Sequence, residues 1–142
     1  MSPFDQYPGG GYQLQGVPQV GDNRVRHGYG PPVFRCCGWS CAYCGRNLRD
    51  TYESWLDIQV DHVVPWNAGD LAVPIEWLGD LTNQVTCCAA CNAFLNGFRV
   101  KEPVPSVSDF FGLRDQMFLA KKEHAARRHE QEREFWTRNV AK

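Results

Sequence analysis

At 142 residues the chain suits one domain with a modest core, and a content of 43% apolar and 13% aromatic residues excludes a disordered polypeptide. A net charge of −1 excludes a general electrostatic pull on nucleic acid, so such binding would need a local basic patch or a recruiting partner. No apolar run approaches membrane-spanning length, and the stretch after Met1 is polar and rich in Gly and Pro. A cytoplasmic protein with reduced thiols and no membrane partner is therefore expected.

Residues 1–32 are dense in Gly and Pro, with Gly9-Gly10-Gly11 and Pro31-Pro32 as extremes. Neither helical nor strand periodicity survives there, which predicts a flexible or loosely docked arm. Residues 33–39 are expected to form a short strand beside the first cysteine pair, and residues 50–55 a connector with one helical turn. From Leu56 to Val64 the chain is rich in β-branched residues and is ended by Pro65, the pattern of a strand. A long loop over residues 66–80 is predicted from its turn formers, Asn67, Gly69, Asp70, Pro74 and Gly79. A second short strand at residues 84–87 and a helix at residues 89–95, stopped by Gly97, complete a ββα unit. After Pro103 and Pro105, Ser106 and Asp109 can form a capping box for a long helix over residues 107–140. Apolar residues gather at its two ends, and its charged middle holds the i,i+4 pairs Glu123–Arg127 and Glu134–Arg138.

The cysteines carry the sharpest signal. Cys41-x-x-Cys44 and Cys88-x-x-Cys91 bracket the ββα unit, and thiolates two residues apart grip one ion from a single turn. Structural zinc held by these four is expected, with Cys36, Cys37 and Cys87 as packed thiols. Asp61 and His62 fall at the end of the first strand, and Asn92 follows the ligand Cys91 directly. A zinc clamp would bring the helix against the strands, and so Asn92 towards Asp61 and His62. A hard cation such as Mg²⁺ takes oxygen ligands, few of them from protein, which Asp61 and the Asn92 amide can supply. His62, neutral near pH 7, can accept a proton from water. Arg46, Arg49, Arg99 and Lys101 flank these residues and are placed to meet phosphates. Lys121, Lys122, Arg127 and Arg128 read at least as well as a solvated helix face.

In Cys41-x-x-Cys44-Gly45, Val60-Asp61-His62-Val-Val-Pro65 and Thr82-Asn83 through Cys88-x-x-Cys91-Asn92 the sequence resembles the HNH endonucleases, the ββα-metal nucleases. The resemblance covers the middle third to half of the chain, with Asn in place of the final His. It implies a hydrolase that cuts DNA and leaves 5′-phosphate and 3′-hydroxyl ends. It assigns His62 as general base and Asp61 and Asn92 as ligands of a catalytic divalent cation (Mg²⁺, Mn²⁺ or Ni²⁺). It assigns Asn83 as the brace of the loop that positions the histidine, where the residues alone allow a plain turn. It implies a bacterial or phage origin. The basic residue often found after the motif is replaced by Phe94-Leu95-Asn96.

The expected architecture is α+β: a small ββα-metal core clamped by a four-cysteine zinc site, a flexible N-terminal arm and a long C-terminal helix. Its divisions are residues 1–32, 33–102 and 103–142. A different class of function stays open, a catalytically silent zinc-ribbon module that binds DNA or a protein. Recruitment by a partner protein, or a homodimer through Phe135 and Trp136, is a further expectation.

Overall fold

Two β-prone runs on either side of the long loop pair as an antiparallel ribbon. The computed structural model describes residues 2–18 and 22–141, so residues 1 and 19–21 of the predicted arm and residue 142 of the C-terminal segment lie outside the described residues. Strand β1 (Ile58–His62) runs against β2 (Gln84–Cys88), with Ile58 opposite Cys88 and His62 opposite Gln84. Every residue of β2 is buried, because α1 (Gly30–Cys36), the N-terminal segment and the next helix all cover it. The fold is α+β, with one two-stranded sheet among the described residues and helices around it.

The predicted strand at residues 33–39 is replaced by helix α1. Pro31 and Pro32 fall in its first turn, where a fixed φ is already helical and the missing N–H has no intrahelical acceptor to lose. Val33 and Phe34 are fully buried as a result. The predicted connector holds one short helix, α2 (Tyr52–Leu56), whose N-cap Thr51 accepts the Ser54 N–H. The loop after β1 is more ordered than its turn formers imply. It contains a 3₁₀ turn (Trp66–Leu71) and α3 (Ile75–Leu78), which pack on each other. Helix α4 (Ala89–Phe94) follows β2 without a loop and lies against both strands.

The flexible N-terminal arm is corrected most clearly. Phe4 and Tyr7 are each 2% exposed. The Tyr7 hydroxyl donates to the Gln84 carbonyl, and burial raises its pKa well above the usual phenol value. Gly9, Gly10 and Gly11 all have left-handed φ values, of 69°, 73° and 74°, so the glycine run encodes a tight turn that other residues could not make without strain. Asp80 then accepts the Gln15 and Gly16 N–H groups at 2.9 and 2.7 Å.

The long helix, α5 (Val107–Asn139), is capped by Ser106, whose Oγ accepts the Asp109 N–H at 3.1 Å. Gly112 does not interrupt it. Phe110, Phe111, Arg114, Met117, Phe118, Lys121 and Ala125 form its buried stripe, while residues 130–139 are exposed throughout. The expected pairs Glu123–Arg127 and Glu134–Arg138 close at 2.7 Å each. No helix among the described residues is long and apolar enough to cross a membrane.

Candidate functional site

The first CxxC pair sits on a knuckle. Gly45 turns the chain with a φ of 78°, Cys41 N–H donates to the Arg46 carbonyl, and Ser40 bridges to Asn47. Ala42 N–H donates to the Thr86 carbonyl at 2.8 Å, which ties the knuckle to β2. The second pair opens α4, with Cys88 as its N-cap and its sulfur accepting the Cys91 N–H. The ligand atoms of Cys41, Cys44, Cys88 and Cys91 all lie within 4.8 Å of one another. A tetrahedral ion with Zn–S bonds of about 2.3 Å holds its sulfurs about 3.8 Å apart. Cys44 Sγ and Cys88 Sγ are 3.8 Å apart. The cluster therefore fits a structural metal such as zinc.

Cys37 and Cys87 lie outside that cluster as packed thiols. Cys37 Sγ accepts the Thr86 N–H at 3.4 Å and Cys87 Sγ donates to the Cys88 carbonyl at 3.3 Å.

Asp61, His62 and Asn92 line one cleft of about 210 Å³, with Trp66, Phe98, Arg99 and Lys121 among its other walls. The strand end supplies the first two and α4 the third. Asp61 Oδ2 accepts the Tyr43 hydroxyl at 2.5 Å and the Lys121 ammonium at 3.0 Å. Both donors fall on Oδ2, so Oδ1 has none among the described residues. Burial and the Asp61 carboxylate raise the Tyr43 pKa well above the usual phenol value, which keeps its proton in place to donate. Burial lowers the His62 pKa below the ordinary imidazole value, against the pull of Asp61 and with some help from Lys121. The His62 ring lies 4.8 Å from the Trp66 ring, which is half exposed.

Asn83 is fully buried. Its Oδ1 accepts the Val64 N–H at 2.9 Å, and its Nδ2 donates to the Val64 and Leu78 carbonyls at 3.0 and 2.9 Å. Its own carbonyl accepts the Val63 N–H. The chain leaving His62 is thus pinned to the loop at its first two residues.

Of the four basic residues expected to meet phosphates, only Arg99 lines the cleft. Arg46 pairs with Asp57 at 3.1 Å, Arg49 lies over the Trp39 ring, and Lys101 lines a neighbouring groove with Pro103 and Pro105. Sequence reading missed the contacts of Tyr43 and Lys121 with Asp61. It also missed His129, whose Nε2 is 3.2 Å from Cys91 Sγ. Lys121 carried a usable signal, since it falls in register with Arg114, Met117, Phe118 and Ala125 on one stripe of α5. A comparison of the chain with family models, with curated proteins and with solved structures gives no match.

Proposed function

We propose that this chain is a DNA endonuclease that hydrolyses phosphodiester bonds with a histidine base and one divalent cation, in the manner of the HNH nucleases it resembles. The observation that carries the reading is the shared cleft of Asp61, His62 and Asn92, set on a strand–strand–helix unit whose base is a four-cysteine cluster. Asp61 Oδ1 and the Asn92 amide oxygen would supply two hard oxygens from this lining. That suits Mg²⁺ or Mn²⁺, which keep water and substrate oxygens in their remaining positions. The cation would supply charge neutralisation at the phosphate and the departing 3′-oxygen.

His62 takes the proton of the attacking water. Burial favours its neutral form, the form a base needs. Trp66 covers one side of its ring, and Asn83 fixes the backbone after it. Tyr43 and Lys121 hold the Asp61 carboxylate by one oxygen and leave Oδ1 for the cation. Arg99 on the cleft wall meets the phosphate backbone.

Plasmid relaxation tests the reading. Zinc-loaded protein is assayed without divalent cation and with Mg²⁺, Mn²⁺ or Ni²⁺, beside His62→Ala. Metal-dependent nicking that drops by at least about a hundredfold in the variant is expected, the usual scale of a lost general base. Folded, zinc-loaded protein that nicks DNA with none of these metals would reject the enzyme in favour of a silent binding module.

A further inference from the structure

The charge of the cleft is unusual for a place that is to hold a divalent cation. Its lining carries one carboxylate, Asp61, against two side-chain cations, Lys121 and Arg99, so positive charge is in excess. Lys121 is the more consequential cation because it is only 2% exposed, so solvent screens it little. Its ammonium is held from two sides, 3.0 Å from Asp61 Oδ2 and 3.1 Å from the His62 carbonyl. The buried stripe of α5 delivers it, with Phe118 and Met117 one turn before and Ala125 one turn after. The carboxylate that would attract a cation is therefore already paired, and Arg99 leaves the lining with one positive charge in excess.

We propose that the phosphodiester enters this cleft first and completes the site of the divalent cation, and that Lys121 is the positioning residue that prevents tight cation binding to the empty cleft. The inference rests on the nuclease reading above. A bound phosphodiester brings the negative charge that the cleft lacks. It also brings the oxygens that a hard cation needs beyond Asp61 Oδ1 and the Asn92 amide. Linkage then makes the effect mutual: DNA tightens the cation by the same factor by which the cation tightens DNA.

Two titrations of the full zinc-loaded chain test this. Mn²⁺ is titrated without DNA and the free ion followed by its paramagnetic resonance signal. A short fluorescent DNA duplex is titrated without added divalent cation and followed by anisotropy. Wild type is expected to bind the duplex without Mn²⁺ and to bind Mn²⁺ weakly alone. Saturating duplex should tighten Mn²⁺ at least about tenfold, after subtraction of the ions the duplex binds by itself. Lys121→Gln keeps a donor for Asp61 and removes the charge, so the two affinities should move in opposite directions. Mn²⁺ without DNA should bind at least about tenfold more tightly, and the duplex without Mn²⁺ more weakly.

A variant that is merely misfolded weakens both, and then the wild-type pair of titrations decides. Tight Mn²⁺ binding by wild type without DNA, with metal-dependent nicking intact, overturns this inference and leaves the nuclease standing. Failure of Mn²⁺ to bind with or without the duplex overturns both.

Discussion

Asn83 holds three backbone groups with one amide: the Val64 N–H, the Val64 carbonyl and the Leu78 carbonyl. All three lie in a buried region where water cannot replace the lost partner, and unpaired buried groups cost more than a formed hydrogen bond returns. Asn83→Ala is therefore expected to lower stability by about 3 kcal/mol in urea unfolding. Asn83→Asp keeps the acceptor and loses both donors, so it should fall well short of restoring wild type. If Asn83 is a plain turn residue, both variants will unfold at nearly the wild-type midpoint. Tyr43→Phe is a milder change. It removes one of two donors on Asp61 Oδ2 and keeps the ring stacked on Phe118, so a loss of about 1 kcal/mol is expected by the same measurement. Its nicking rate should fall further than its stability, because the freed carboxylate can turn away from the cleft.

The N-terminal segment shows where composition misleads at the scale of an element. Its Gly and Pro content argues for disorder. Yet Phe4 meets Phe118 edge-on, and the Arg114 guanidinium lies 3.9 Å from the Phe4 ring centre. Arg114 also donates to the Gly11 and Thr82 carbonyls, so one fully buried cation joins the segment, the loop and α5. Phe4→Ala is expected to cost about 3–5 kcal/mol by thermal or urea unfolding, the scale of a large aromatic lost from a packed core. A segment that only brushed the surface would make the same change silent. The strands, α4 and the start of α5 were legible because each has its own local signal: β-branched runs, a stop at Gly97, a cap at Ser106. The co-location of Asp61, His62 and Asn92 was legible because the cysteine spacing ties α4 to the hairpin. Docking of the first residues was not, since it depends on aromatic side chains meeting Arg114 from the far end of the chain. Lys121 on Asp61 was hidden for the same reason, as α5 contributes charge to a site that otherwise lies in the preceding part of the chain. Helix α1 was hidden because two prolines that begin a helix also suit an extended stretch.

Across the whole molecule a metal shared by the four cysteines would do what a two-stranded sheet cannot do alone, since such a ribbon is marginal in water without support. One pair lies on the knuckle before β1 and the other at the start of α4, so a shared ion fixes both ends of the hairpin unit at once. His129 adds α5 to that arrangement. Its Nε2 lies 3.2 Å from Cys91 Sγ, and its ring meets Phe94 of α4 edge-on at 5.0 Å. With its proton on Nε2 the ring would donate to Cys91 Sγ and orient it, and outer partners of this kind on a metal ligand are worth about ten- to a hundredfold in metal affinity. His129→Ala is therefore expected to lose zinc to a competing chelator at about a tenth or less of the concentration that strips the wild type. Complete removal of zinc should abolish the cooperative thermal transition, because the ion closes the unit that carries the cleft. Nicking should disappear in step with zinc content, and zinc readdition under reducing conditions should restore both. Retention of a sharp thermal transition in zinc-free protein would show that burial alone holds the hairpin, Phe4 and Arg114 included, and that the cysteines are not its clamp.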